Sequence, residues 1–398
     1  MGWLEADTAV VYGKVVEGFR VPFVRDEYYD TIIVPGFSDA HMHPQVVDGG
    51  VEPGRLWRHS YDWIENRRLV VDEASVRRDI SLASRLASAT LKRALLEGVT
   101  MVALTGNAEA NVRAWAGLHV PPKAVFLPTI IRKPGWPSLE RAREILRRLR
   151  GVIDDGLARL GVFLHSIRYA GEDQVLEAVR GARALGGLVG IHLGEGLPEG
   201  DSYRRIVGGH PPGVRVVAVH CIDDDDPSAF GLLCASCPAS NLILYGRTRR
   251  SLRGVTSFGS DWPLLIGTVA RHLPLILRVF DGFVEGVLRR LTVGGYRDYG
   301  VSYTGDLAAF DVELDRLLER YEPPRLVMVA GREAVVEGML AGTGETIGEV
   351  EREIRKLVRE TIDLYGDGPS GVADPIENAL KALEYGLSKV HSAPAPTL

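Results

Sequence analysis

The segment DAHMHP sets His41 and His43 two residues apart at the end of an apolar run. On a strand that spacing turns both imidazoles to one side, and two nitrogens can then reach one cation at about 2.0–2.1 Å each. A lone HxH also arises by chance on surfaces and in cores. Here an apolar strand and PGF precede it, which favours the metal reading. His192 closes another apolar run in GIHLGEG. A histidine there is costly unless its nitrogens are satisfied, so it reads either as a ligand or as a hydrogen-bonded core residue. Glu195 follows three residues on, within reach of the same pocket. It reads as a proton relay, which needs a raised carboxyl pKa, or as a solvated loop carboxylate. His220 repeats the pattern in VVAVHC, and Asp261 closes the last such run in SFGSDWP. A buried lone carboxylate is expensive without a cation or a cationic histidine beside it. Three histidines and one aspartate make an ordinary catalytic set around a divalent ion, with water in the open position.

These residues require a scaffold that brings strand ends together. Eight short β-branched runs alternate with helical patterns: 31–41, 99–106, 124–131, 161–167, 187–193, 214–220, 232–238 and 255–261. Continuous apolar runs suit strands buried on both faces of a parallel sheet. Helical periodicity between them is clear at 75–98 and 172–187. The alternation indicates an α/β protein with a (β/α)8 TIM barrel; a doubly wound open sheet is the rival. His41, His165, His192, His220 and Asp261 all fall at or near C-terminal strand ends, which in a barrel converge on one mouth. Residues 1–35 and 305–342 read as the two parts of a small β-sandwich domain made from both chain ends. Residues 36–304 form the barrel and 343–398 a helical C-terminal extension ending in the frayed SAPAPTL.

Composition excludes several classes. Apolar residues at 45% and charged residues at 25% describe a globular chain, and a net charge of −5 gives no electrostatic case for nucleic acid or an anionic membrane. No apolar run approaches the roughly 18 residues of a membrane helix, and MGWLEADTAVVYGK lacks the pattern of a signal peptide. Three cysteines, Cys221, Cys234 and Cys237, cannot make a disulfide framework and suit a reducing compartment, so a cytoplasmic location is expected. The Cys234–Cys237 CxxC lacks a second pair and is no zinc ribbon, and the DDDD run at 223–226 reads as a solvated loop. The expected partner is a small-molecule substrate; self-association into a homo-oligomer is left open.

PGFSDAHMHP, HLGE, VHC, CPASNLILYG and GSDWP occur in an order that resembles the amidohydrolase superfamily, in its deaminase and chlorohydrolase branch. The resemblance spans roughly residues 8 to 340. It implies His41, His43, His192 and Asp261 as metal ligands, Glu195 as the proton-shuttling glutamate, and His220 beside the nucleophile and substrate. His165 resembles a fourth-strand histidine that contacts substrate in some members. Binuclear members bridge two ions with a carboxylated lysine, usually from the fourth strand. This chain has no lysine from 134 to 355. One divalent ion per chain is therefore expected, zinc first, with iron or manganese as alternatives. Trp57 and His59, in the long loop after the HxH motif, could stack on a flat substrate or pack that loop down. No substrate-binding pattern is recognisable in residues 45–70.

The expected reaction is hydrolytic deamination of an amino-substituted nitrogen heterocycle. A metal-bound hydroxide attacks the ring carbon, Asp261 accepts the water's proton, Glu195 protonates the ring and the leaving ammonia, and His220 orients the nucleophile. Cyclic-amide hydrolysis and chlorohydrolase-type displacement would use the same groups. A non-catalytic barrel is the reading from another class, and the intact set of candidate ligands speaks against it.

Overall fold

The computed structural model describes residues 2–153, 156–223, 226–366 and 374–392. Asp224 and Asp225 of the acidic run and residues 393–398 of the tail lie outside the described residues. Eight parallel strands follow one another in chain order: β1 (Phe37–Met42), β2 (Val99–Gly106), β3 (Lys123–Ile130), β4 (Val162–Leu164), β5 (Leu188–Leu193), β6 (Arg215–His220), β7 (Leu233–Ser236) and β8 (Ser257–Phe258). Each pairs with the next. A parallel bridge between Met42 and Asp261 links the last strand region back to the first. The arrangement is a (β/α)8 barrel, and its strands are buried along nearly their whole length, as the continuous apolar runs require.

The run expected at 31–41 divides between two sheets. Residues Glu27–Pro35 join a separate seven-stranded sheet, and Phe37–Met42 begin the barrel. Gly36 marks the change: a Cβ there would lie 1.9 Å from the Thr100 hydroxyl, so the chain can pass only without a side chain. The second sheet draws strands from both chain ends, with Glu27–Pro35 antiparallel to Leu307–Phe310. A buried ion pair ties the sheet's return to the barrel, with Lys123 Nζ 2.6 Å from Asp306.

The barrel interior is filled by Ala40, Met101, Val125, Phe163, Val217 and their neighbours. A short helix, Gly295–Tyr299, closes the N-terminal end, putting Tyr296 and Tyr299 into that core. The Tyr299 hydroxyl donates to the Ala40 carbonyl at 2.9 Å, and Tyr296 meets Thr100 at 2.7 Å. Large residues here make the barrel a packed body with chemistry only at its other end.

The helix expected over 75–98 breaks into Glu73–Arg78 and Ile80–Leu96. Asp79 is the cause: its backbone is extended, and its carboxylate caps the second helix by accepting from Leu82 N at 3.0 Å. In the extension, Ile347–Tyr365 starts on a Thr346/Glu349 capping box and buries Val350, Ile354, Leu357 and Val358. The last helix, Pro375–Ser392, packs against Pro238–Tyr245; a Cβ on Gly386 would stand 2.3 Å from the Leu242 carbonyl. Among the described residues no helix is long and apolar enough to cross a membrane.

Candidate metal centre

His41 and His43 leave β1 on one side, and the backbone ladder carries them against Asp261. His43 N donates to the Asp261 carbonyl at 2.7 Å, and Asp261 N to the His41 carbonyl at 2.9 Å. Gly259 permits this approach, since a Cβ there would sit 2.9 Å from three His41 atoms. Asp39 reinforces the junction: one carboxylate oxygen accepts from Ser260 N at 2.9 Å and the other from Val269 N at 3.1 Å. Burial pushes the Asp39 carboxyl up to about 7, against those hydrogen bonds.

Four side-chain atoms converge at the barrel's C-terminal mouth. His41 Nε2 lies 3.0 Å from His43 Nε2 and 3.1 Å from His192 Nε2. Asp261 Oδ1 is 3.4 Å from Nε2 of both His41 and His43. Donors held at about 2.0–2.1 Å around a tetrahedral ion stand roughly 3.3 Å apart, so the set fits a zinc-like ion. Three imidazoles at this separation cannot all satisfy one another by hydrogen bonding; a shared cation resolves the conflict. The second nitrogens agree for His43. The Thr105 hydroxyl donates to the Met42 carbonyl at 3.1 Å, which leaves its oxygen to accept from His43 Nδ1–H at 2.8 Å. The Nε2 lone pair then faces the centre. Phe163 forms the floor, stacked on His41 at 5.0 Å and edge-on to His192 at 4.7 Å.

Burial lowers the pKa of His41, His43 and His192, so each is neutral and able to ligate. For Asp261 burial works the other way, but the His41 hydrogen bond and the surrounding imidazoles hold the carboxyl well below its ordinary range. Asp261, His220 and Cys221 take positive φ values of 66°, 76° and 48°. Non-glycine residues rarely adopt that region, and clustered strain of this kind accompanies functional sites.

A second group adjoins the first: His192, Glu195 and His220. Glu195 Oε1 accepts from the Tyr245 hydroxyl at 2.7 Å and lies 3.6 Å from His220 Nε2. Burial drives the Glu195 carboxyl up to about 8, with the Asp261 charge adding to the shift and the Tyr245 hydrogen bond opposing it. It therefore carries a proton at neutral pH. Asn241 fixes His220: its amide nitrogen donates to Thr248 at 3.1 Å, so its oxygen accepts from His220 Nδ1–H at 2.9 Å. His220 Nε2 is left as an acceptor toward the cavity.

The cavity over these groups is about 30 Å3, scarcely more than one water molecule. His43, His165, His192, Glu195, His220 and Asp261 all line it. Trp57 and His59 do not. Trp57 is buried under the Arg55 guanidinium, with its backbone N–H on the Leu244 carbonyl, and His59 caps the helix Ser60–Asn66 by accepting from Asp62 N. Both hold the loop down, and neither lines the cavity. Trp63 from the same loop lines the cavity instead, with Trp136, Trp262, Arg67, Glu73 and Arg77. No lysine lines it; Lys133 stacks on Tyr169 and Lys123 lies at the opposite end of β3. Cys221, Cys234 and Cys237 are buried and form no disulfide among the described residues, and they belong to neither candidate metal group there.

The barrel with its accompanying small sheet is similar in fold to several solved structures. An adenosine deaminase from Xanthomonas campestris with bound zinc matches at a TM-score of 0.70 and 18% identity, over 91% of this chain and 98% of that one. An atrazine chlorohydrolase from Arthrobacter aurescens complexed with zinc matches at 0.68 and 14% identity, over 90% and 100%. An amidohydrolase from a Sargasso Sea environmental sample matches at 0.65 and 18% identity, over 91% and 99%. No family profile matches the chain, and no curated protein sequence matches it.

Proposed function

We propose that the protein is a metal-dependent hydrolase of non-peptide C–N bonds, and within that class a deaminase of an amino-substituted nitrogen heterocycle. The observation that carries the reading is the convergence of His41, His43, His192 and Asp261 beside a proton-bearing Glu195. One zinc ion per chain is the proposed cofactor. Support comes from the tetrahedral three-nitrogen, one-oxygen set, from a cavity lining without lysine, and from zinc in the similar structures named above. Three cysteines without a disulfide among the described residues fit a reducing compartment, and we take the protein to be cytoplasmic.

A divalent ion on these four atoms supplies the Lewis acidity that makes a water nucleophile available near neutral pH. Asp261, ionised and facing the same space, takes the proton lost from the attacking water. Glu195 delivers its proton to a ring nitrogen, which makes the ring carbon electrophilic; the proton that Asp261 took from the water passes to the departing amine, and Glu195 recovers a proton from the remaining hydroxyl as the C–N bond breaks. The Tyr245 hydroxyl occupies Oε1, holding the carboxyl in one orientation. His220, with Nδ1–H committed to Asn241, orients the nucleophile by accepting at Nε2. Displacement of another leaving group at the same ring would use these groups too; release of ammonia distinguishes deamination.

Glu195→Gln keeps the shape and removes the proton. The expected result is a loss of turnover of at least about a hundredfold with metal content unchanged, measured as ammonia release from a panel of amino-heterocycles. Retained activity removes Glu195 from the mechanism.

A further inference from the structure

Two arginines bear on the cavity that the sequence motifs left without a role. Arg67 comes from the loop after β1 and Arg77 from the helix Glu73–Arg78. Both line the cavity with Glu73, the one carboxylate that they share. Arg77 bonds Glu73 through Nη2, and Arg67 reaches Glu73 only at 3.9 Å. Asp48 acts on Arg67 beside Glu73, so what this side of the cavity lacks is hydrogen-bond acceptors for Arg77 rather than negative charge.

Arg77 is only 6% exposed, yet its Nε and Nη1 have no hydrogen-bond partner. Its Nη2 lies 3.3 Å from His43 Nδ1, but that nitrogen carries the proton given to Thr105 when Nε2 ligates a metal, so it cannot also accept. Trp136 covers the guanidinium face at 4.5 Å, and Trp63 covers Arg67 at 4.1 Å. Stacking of this kind satisfies the face of the cation but not its in-plane donors, and on Arg77 Nε and Nη1 stay without a partner. Unmade donors in a buried cation are costly, and a native site that tolerates them is suited to a ligand that supplies acceptors.

We propose that the substrate carries a carboxylate, which accepts hydrogen bonds from Arg77 and Arg67 while the adjoining ring lies between their tryptophans and the metal centre. The planar guanidinium matches carboxylate geometry and is more weakly hydrated than an ammonium, which suits a buried pairing. The inference rests on the deaminase reading for the ring, and not for the carboxylate. The 30 Å3 cavity cannot hold such a molecule as it stands, so the loop bearing Trp63 and Arg67 moves outward to admit it.

The test uses the metal-loaded protein, its Arg67→Met, Arg67→Lys and double Arg67→Met/Arg77→Met variants, and matched probes. Cytosine-5-carboxylate and cytosine-5-carboxamide report ammonia release; nicotinate and nicotinamide report binding by calorimetry. The proposal expects nicotinate to bind at least about tenfold more tightly than nicotinamide, since hydrogen bonds to charged groups contribute about 1.5–3 kcal/mol. Arg67→Met should remove most of that preference with metal content unchanged, and Arg67→Lys should keep part of it. Equal binding of acid and amide overturns the proposal. So does a preference that survives the double variant Arg67→Met/Arg77→Met with metal content unchanged, because the carboxylate then sits elsewhere, on the metal included. Nicotinate preference without ammonia from either cytosine probe keeps the proposal and counts against deamination. Ammonia from both probes at equal kcat/KM, with equal nicotinate and nicotinamide binding, keeps deamination and overturns the carboxylate.

Discussion

The Tyr245 hydroxyl donates to Glu195 Oε1 at 2.7 Å, and both side chains are buried. This bond joins the proposed proton carrier, just beyond β5, to the helix that follows β7. It favours the ionised carboxylate and so opposes the rise that burial imposes. Tyr245→Phe should therefore raise the Glu195 pKa further, by roughly one unit for the loss of one charge-assisted bond. The check is the alkaline limb of the turnover-against-pH profile, expected at higher pH in the variant than in the wild type. A limb that moves to lower pH contradicts the assignment.

The opposite end of the barrel should govern stability without touching chemistry. Lys123 and Asp306 are each no more than 1% exposed at the side chain and stand 2.6 Å apart, and Lys123 also donates to the Ser302 and Thr304 carbonyls. Lys123→Met leaves a buried carboxylate uncompensated, at a cost of about 3–5 kcal/mol. Adding Asp306→Asn should recover part of that loss. Urea unfolding measures both, and a single-variant change below about 0.5 kcal/mol would show the pair to be unimportant.

Acid and alkali should each weaken the metal-free protein, for different groups. Burial raises Asp39 to about 7 and Glu195 to about 8. Each keeps a proton that the unfolded chain releases near 4, so its contribution is complete below that pH and lost as pH rises toward 8. Burial lowers His165 to about 3 and His272 to about 4 from an ordinary 6.5, and lowers His41, His43, His192 and His220 as well. The unfolded chain binds those protons first, so their contribution is complete above about 6.5 and lost as pH falls. Histidines outnumber the two carboxyls, which puts maximum stability near pH 6.5. A scan of Tm against pH in excess chelator tests this; a Tm still rising from 6.5 to 8 would contradict it.

Much of the architecture was legible because each barrel strand is a continuous apolar run that only a two-sided burial explains. The candidate ligands were legible for a related reason: His41, His192 and Asp261 are polar residues at the ends of such runs, where burial demands a partner. Asp79 was not, because it breaks a helix through a cap that hydrophobic periodicity ignores. Trp57 and His59 were chosen by ring type alone, and loop packing decided otherwise. Arg67, Arg77 and Trp136 reach the cavity from separate segments, and no local spacing encodes their convergence. Asn241 and Tyr245 did leave a signal. They stand four apart on one helix, so both face the mouth, where one fixes His220 and the other Glu195.

Metal content per chain tests the central claim most directly, measured on the purified wild type beside His192→Ala. The account predicts about one equivalent in the wild type, for a four-donor set without a bridging lysine, and its loss in the variant with the fold retained by circular dichroism. Two equivalents would contradict the mononuclear assignment. No metal, with none taken up on addition of zinc, would contradict the metal centre itself.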